Sequence, residues 1–154
     1  DGTSWTEGTN MIQGRIQMGT CGTQTAGLAC SGYVDTGGPA PTGNKDTTEE
    51  YNGASWAAGG TNLVATSGLG AAGTQGDAIA FGGSPDLATT TGYDGTAWST
   101  RPSLATGRDY VGMTGTAAAA LCIGGNAPAD GGLATVEAFT GETSAANIVT
   151  VTTS

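Results

Sequence analysis

Three intervals of equal length govern what this chain can fold into. From Trp5 to Gly32, from Trp56 to Gly83 and from Trp98 to Gly125 the spacing is 27 residues each time. Two phrases keep that register. GTQTAGLACSG (22–32) returns as GTQGDAIAFGG (73–83) and as GTAAAALCIGG (115–125), while DGTSW (1–5) returns as YNGASW (51–56) and YDGTAW (93–98). A fixed period marks a repeat architecture, in which each unit buries its face against the next. The remaining part of the repeat varies: Gly32 to Tyr51 is 19 residues, Gly83 to Tyr93 is 10 and Gly125 to Phe139 is 14. All length variation falls in one connection per repeat, the pattern expected of loops on one face.

Composition alone points the other way. Of 154 residues, 29 are Gly and 27 Thr, and Leu, Ile, Val and Phe together number only 20. That share is about 13%, below the roughly 20% line under which a highly charged chain is expected to stay disordered. A disordered chain has no reason to hold register over three copies, so the repeat outweighs the composition.

Each unit reads as strands. Residues 26–30, 78–81 and 119–123 are short apolar runs ending at Gly or Ser, too short for a helix and without a helical period. TTEEY (47–51), TTTGY (89–93) and TVEAF (135–139) are Thr-rich and alternate, as half-buried strands do. Each is followed by Asn52-Gly53, Asp94-Gly95 or Thr140-Gly141, read as a two-residue hairpin turn. The Trp beyond the turn starts a returning strand, and a fourth strand is expected around 15–20, 66–71 and 108–113. Four antiparallel strands in about 42–51 residues, repeated in tandem, are the blades of a β-propeller. Small residues suit blades packed closely near an axis, with Tyr51 and Trp56, or Tyr93 and Trp98, as the large anchors.

A glycine doublet after an apolar run, then Tyr, then Trp, resembles the kelch repeat. The doublets are Gly82-Gly83 and Gly124-Gly125, with Ser31-Gly32 degenerate; the Tyr position holds Tyr51, Tyr93 and Phe139; the Trp position holds Trp5, Trp56 and Trp98, with Ser144 at the degenerate end. The phrases GTQTAGLA, TTEEYNGASW and YDGTAW are also similar to Gly/Thr/Ala-rich kelch-like repeats of marine bacteriophage tail-fibre and structural proteins. The resemblance covers nearly the whole chain. It implies an all-β, kelch-like β-propeller segment of about three four-stranded antiparallel blades, and a virion or extracellular location. It transfers no binding residues.

The chain is expected to form a single repeat domain, 1–154. Residues 1–5 read as the last strand of a preceding blade, followed by blades at 6–56, 57–98 and 99–154, the last with a C-terminal closing strand in NIVTVTTS. Propellers close with about four to eight blades. Three would leave open sheet edges. Two arrangements resolve this: the chain is the C-terminal part of a longer one, or copies associate, for example two chains giving six blades.

The charge narrows the partners. Thirteen acids against four bases give a formal charge of −9, and there is no His. This argues against nucleic-acid binding and against an anionic membrane surface. No apolar run is long enough to insert into a bilayer, and no signal peptide is visible. Without His, a Ser-His-Asp triad cannot form, and a tyrosine–cysteine copper site lacks its usual ligands. Cys21, Cys30 and Cys122 occupy positions filled elsewhere by Ala72, Phe81 and Ala80, so they read as buried packing residues, with no zinc spacing. Asp46, Glu49 and Glu50, beside Lys45, read as a solvated strand edge; no calcium-loop pattern surrounds them. Arg15 and Arg108 follow a Gly at similar places and are each expected to pair with a nearby carboxylate.

The variable connections 33–46, 84–88 and 126–134 are the best places for recognition, since variable loops on a rigid scaffold commonly bind ligands. They hold Pro39, Pro41, Pro85 and Pro128, and supply Tyr33, Asp35, Asp86, Asn126 and Asp130 as candidate sugar contacts. No catalytic residue, metal or cofactor is assigned. The leading expectation is a non-enzymatic virion structural or adhesion protein: a fibre, decoration or receptor-binding segment. It would contact other virion proteins and a host surface glycan or protein, and homo-oligomerisation is open to it. The rival readings are a secreted lectin-like propeller and a propeller-fold glycan hydrolase or lyase.

Overall fold

A glycine with a left-handed backbone prepares the first hairpin of every repeat. Gly22, Gly73 and Gly115 have φ of 101°, 109° and 115°. A Cβ there would lie 2.2, 2.4 and 2.2 Å from the carbonyl oxygens of Ala26, Asp77 and Ala119. No other residue tolerates both that torsion and that approach.

The structure, a computed structural model, describes residues 2–35, 43–127 and 131–141. Its strands in the first repeat are β1 (Gly19–Thr23), β2 (Ala26–Cys30), β3 (Tyr33–Val34), β4 (Gly43–Asn44), β5 (Thr48–Tyr51) and β6 (Trp56–Ala58). The second repeat holds β7 (Gly70–Thr74), β8 (Asp77–Phe81), β9 (Thr90–Tyr93) and β10 (Trp98–Arg101). The third holds β11 (Gly112–Thr116), β12 (Ala119–Ile123), β13 (Asn126–Ala127), β14 (Gly131–Gly132) and β15 (Val136–Thr140). The described residues contain no helix, and none that could cross a membrane.

The fold is all-β and antiparallel. The first sheet has the order β1-β2-β5-β6, the second β7-β8-β9-β10 and the third β11-β12-β15. The apolar runs become the second strands and the Thr-rich segments the third, as the sequence predicts. The variable connections fold back on themselves. In the first and third repeats they carry the ribbons β3–β4 and β13–β14; in the second, a short turn follows Gly83, where Leu87 N donates to Gly83 O at 2.6 Å.

Three local expectations are corrected. The first strand of each sheet starts four residues later than expected, at Gly19, Gly70 and Gly112. The Gly-Thr-Gln phrase belongs to that strand and its turn: Thr23 pairs with Ala26, Thr74 with Asp77 and Thr116 with Ala119, so the two-residue loops lie here. The Asn-Gly and Asp-Gly loops are four residues long instead, because Tyr51 pairs with Trp56 and Tyr93 with Trp98. Their organising element is the side chain. Asn52 Oδ1 accepts from Ala54 N and Ser55 N at 3.0 and 2.9 Å. Asp94 Oδ1 accepts from Thr96 N and Ala97 N at 2.9 and 2.8 Å, and these bonds hold its carboxyl below the usual range. Residues 2–5, expected as the last strand of a preceding blade, carry no strand of their own among the described residues. Ser144 and the expected closing strand lie outside the described residues.

The first strands β1, β7 and β11 are neighbours in sequence of repeats, and the sheets pack face to face along them. Between the first and second sheets the core is Leu28, Cys30, Leu69, Ala71, Ala78, Ala80, Tyr93 and Trp98. Between the second and third it is Ala72, Ile79, Phe81, Ala120 and Cys122, with Leu104, Val111, Met113 and Phe139 at its margin. Gly70 leaves room for side chains of the neighbouring repeat: a Cβ there would meet Val111 Cγ2 at 2.8 Å and Met113 Cε at 1.9 Å. The deficit of large hydrophobics is thus a consequence of thin sheets in close contact.

Candidate functional site

The segment that enters each first strand turns through a left-handed residue: Gln17 (φ 57°), Gly68 (φ 67°) and Tyr110 (φ 50°). These three stand at equivalent places in the repeats, and they join in a chain. Gly68 N donates to Gln17 O at 2.8 Å, Tyr110 N donates to Gly68 O at 2.7 Å, and Gln17 Nε2 donates to the Tyr110 hydroxyl at 3.1 Å. Left-handed non-glycine residues cost about 1–3 kcal/mol and concentrate at functional sites. Tyr110 is 59% exposed, so its ring is presented to solvent on a fixed backbone.

Candidate residues from the sequence flank this chain. Ile16 bridges to Tyr33, and Asp109 to Asn126, at matching positions of the first and third repeats. Asn126 N donates to Asp109 O at 2.8 Å. Ser84 N donates to Ser67 O at 2.7 Å in the second repeat. Asp86 follows, with φ of 51°. Asp109 is 6% exposed, and burial pushes its carboxyl above the usual range. A hydrogen bond from the Asn126 side chain opposes that shift, and the Asp86 charge adds to it. Asp86 Oδ1 and Asp109 Oδ1 are both buried without a hydrogen-bond partner. The structure therefore brings Asp86 and Asn126 together around Asp109 and sets Tyr33 at the equivalent place one end of the row away. Asp35 is exposed beyond β3. Asp130 lies outside the described residues.

Gln17, Asp109 and Tyr110 were not among the sequence candidates. The shared mark in the sequence is the arginine: Arg15 and Arg108 stand ten residues after Trp5 and Trp98, two before Gln17 and Tyr110.

The two arginines are structural. Arg15 Nη2 pairs with Glu49 Oε1, and Nη1 donates to Thr47 O (2.7 Å), Thr47 Oγ1 (2.7 Å) and Ser31 O (3.0 Å). Arg108 Nη2 pairs with Glu137 Oε1, and Nη1 donates to Thr135 Oγ1 (3.1 Å), Thr135 O (3.3 Å) and Gly124 O (3.0 Å). Each glutamate also accepts backbone donors from the crossing segment, Ile12 and Gln13 in one case, Ala105 and Thr106 in the other. Glu49 is 3% exposed, which corrects its reading as a solvated strand edge. It is buried because Arg15 and two N–H groups replace its water. Glu50 accepts the Tyr93 hydroxyl across the sheet contact. The cysteines are packing residues: Cys30 and Cys122 are buried, and burial pushes the Cys30 thiol up to about 12 and that of half-buried Cys21 up to about 11. No cluster of three or more metal-ligating side chains occurs among the described residues.

The chain is similar in fold to part of a solved protein, YjhT. The likeness covers 86% of this chain and 45% of that one, with a TM-score of 0.70 and 14% sequence identity. The chain thus spans less than half the length of YjhT. No protein-family model matches it, and no curated protein matches it. At that identity the likeness shows the fold alone, and one fold hosts many functions.

Proposed function

We propose that this chain is a non-enzymatic recognition segment of a kelch-like β-propeller, carried on a virion as a fibre, decoration or receptor-binding part, and that it takes a host surface glycan. Three observations favour the propeller: the constant 27-residue interval, the meander order of each sheet, and the adjacency of β1, β7 and β11. The observation that carries recognition is Tyr110. Its ring stands exposed on a strained, hydrogen-bonded backbone beside the Gln17 amide. An exposed ring stacks on the apolar face of a sugar, and neighbouring amides and carboxylates bind its hydroxyls. Asp86, Asn126 and Tyr33 border that surface.

The test has two arms. Binding of the chain to a panel of bacterial surface polysaccharides should be lost in Tyr110→Ala and weakened about tenfold in Gln17→Ala, with unfolding midpoints unchanged. Retained binding in Tyr110→Ala rejects this surface. Sedimentation with virus particles separates a virion component from a secreted lectin, which stays in the supernatant.

A glycan hydrolase is a second reading, favoured by Asp109. A carboxyl pushed above its usual range by burial, with the Asp86 charge adding to the shift, is the equipment of a general acid. Release of reducing ends from a bound polysaccharide, abolished by Asp109→Asn, would establish it.

A further inference from the structure

Trp98 fills the contact between the first and second sheets. Its Nε1 donates to Thr48 Oγ1 and to Gly60 O, both at 3.0 Å, and its ring lies 4.9 Å from that of Tyr93. Trp56 makes the same arrangement one repeat earlier, donating to Thr9 O at 3.2 Å with its ring 5.1 Å from Tyr51. The contact between the second and third sheets keeps the equivalent surroundings: Thr90 for Thr48, Pro102 for Gly60, Phe139 for Tyr93. Here a cleft of about 330 Å³ lies among Thr90, Pro102, Leu104, Cys122 and Phe139.

Among the described residues, two other surfaces are more open than their counterparts in the other repeats. Leu28 and Ile79 are each 1% exposed, but their counterpart Leu121 is 37% exposed. Cys30 and Phe81 are 0% and 3% exposed, against 42% for Ile123. Among the described residues β15 pairs on one side only, with β12. At the opposite end, Trp5 is 103% exposed, within a phrase that matches those of Trp56 and Trp98.

We infer that two copies of this chain associate head to tail, with residues 4–6 of one protomer pairing along β15 of its partner and Trp5 seated in the cleft beside Phe139. The register is set by the repeat: Tyr51 faces Trp56 and Tyr93 faces Trp98, so Phe139 faces Trp5. The indole N–H then donates to Thr90 Oγ1 and to the Pro102 carbonyl. The same placement lays the first sheet of one protomer, with Tyr51 and Trp56, over Leu121 and Ile123 of its partner. Two identical contacts related by a twofold axis give six sheets in a closed assembly. A second copy is the occupant because it carries both complements in one register: the indole of Trp5 for the cleft and the sheet with Tyr51 and Trp56 for the apolar face. This rests on the propeller reading above and is independent of glycan recognition.

Light scattering of the 154-residue chain at micromolar concentration should give twice the chain mass. Trp5→Ala removes a buried aromatic anchor and should weaken association about thirtyfold or more, leaving monomer. Ile123→Lys, at an exposed position, should do the same with an unchanged unfolding midpoint as monomer. A monomeric wild-type chain overturns the inference, as does a dimer that survives both substitutions. A monomer whose β15 amides resist hydrogen exchange until residues 142–154 are removed assigns the groove to the chain's own tail, and also overturns it. Glycan binding by a monomer would leave the recognition reading standing and reject only this one.

Discussion

Trp98 and Thr48 belong to different sheets, yet the indole Nε1 lies 3.0 Å from the threonine hydroxyl oxygen. The ring is 6% exposed and its hydrogen bonds tie β10 to β5 and to the segment at Gly60. Trp98→Ala should therefore cost about 3–5 kcal/mol, as other buried aromatic truncations do. Trp56 is only half-buried, at the end of the stack. Trp56→Ala should cost less than about 3 kcal/mol, although the sequence ranks the two alike. Urea unfolding of both variants measures the difference; equal losses would mean that the sheet contact adds nothing to the Trp98 site.

The middle repeat shows what replaces a buried ion pair. Where the others hold Arg15 with Glu49 and Arg108 with Glu137, it holds Thr66 and Thr91, both buried. Both charges are absent together. Removing one partner strands the other in the interior at about 3–5 kcal/mol, whereas removing both is far cheaper. Glu49→Thr alone should destabilise by that amount. The double variant Arg15→Thr/Glu49→Thr should recover most of the loss. A double-mutant cycle from denaturant midpoints checks this, with a coupling below about 0.5 kcal/mol counting against it.

How far the sequence reveals this molecule follows from what a repeat can encode. Strands β2, β8 and β12, and β5, β9 and β15, are legible because apolar runs and alternation are local and recur in register. That Arg15 pairs with a carboxylate is legible too, since four bases among thirteen acids leave each with carboxylates nearby, but the burial of Glu49 is not. The end of β1 is not, because Gly22 joins the strand only through its partner Gly27. The four-residue Asn52 and Asp94 loops were misjudged because their order comes from a side-chain oxygen, and a dipeptide signal does not reveal that. Gln17 and Tyr110 are not legible as site residues, because their importance is a torsion angle and a contact between repeats, and the sequence marks each only by an arginine two positions before it.

The thiols provide a direct probe of burial. Only thiolate reacts with alkylating reagents, and burial pushes Cys30 up to about 12 and Cys21 up to about 11, with Cys122 also raised. Iodoacetamide at pH 8 should leave all three unmodified in the native chain and label all three in denaturant. Mass spectrometry gives the count. Rapid native labelling of Cys30 would place it outside the contact between the first two sheets.

Asp109 gives a pH dependence with a definite sign. Burial raises its folded carboxyl above the unfolded value, so the unfolded chain releases this proton first as pH rises. Stability then falls from the ordinary carboxylate range up to the raised folded value, and a penalty is present at neutral pH. Below the ordinary range both states are protonated and the penalty vanishes. Asp109→Asn keeps the shape and an acceptor for Asn126 but cannot ionise. It should melt higher than the parent chain at pH 7 and equally at pH 3. Thermal unfolding at both pH values decides. A variant less stable than the parent at pH 7 would mean that the carboxylate charge is satisfied there, and a general-acid role for Asp109 would lose its physical basis.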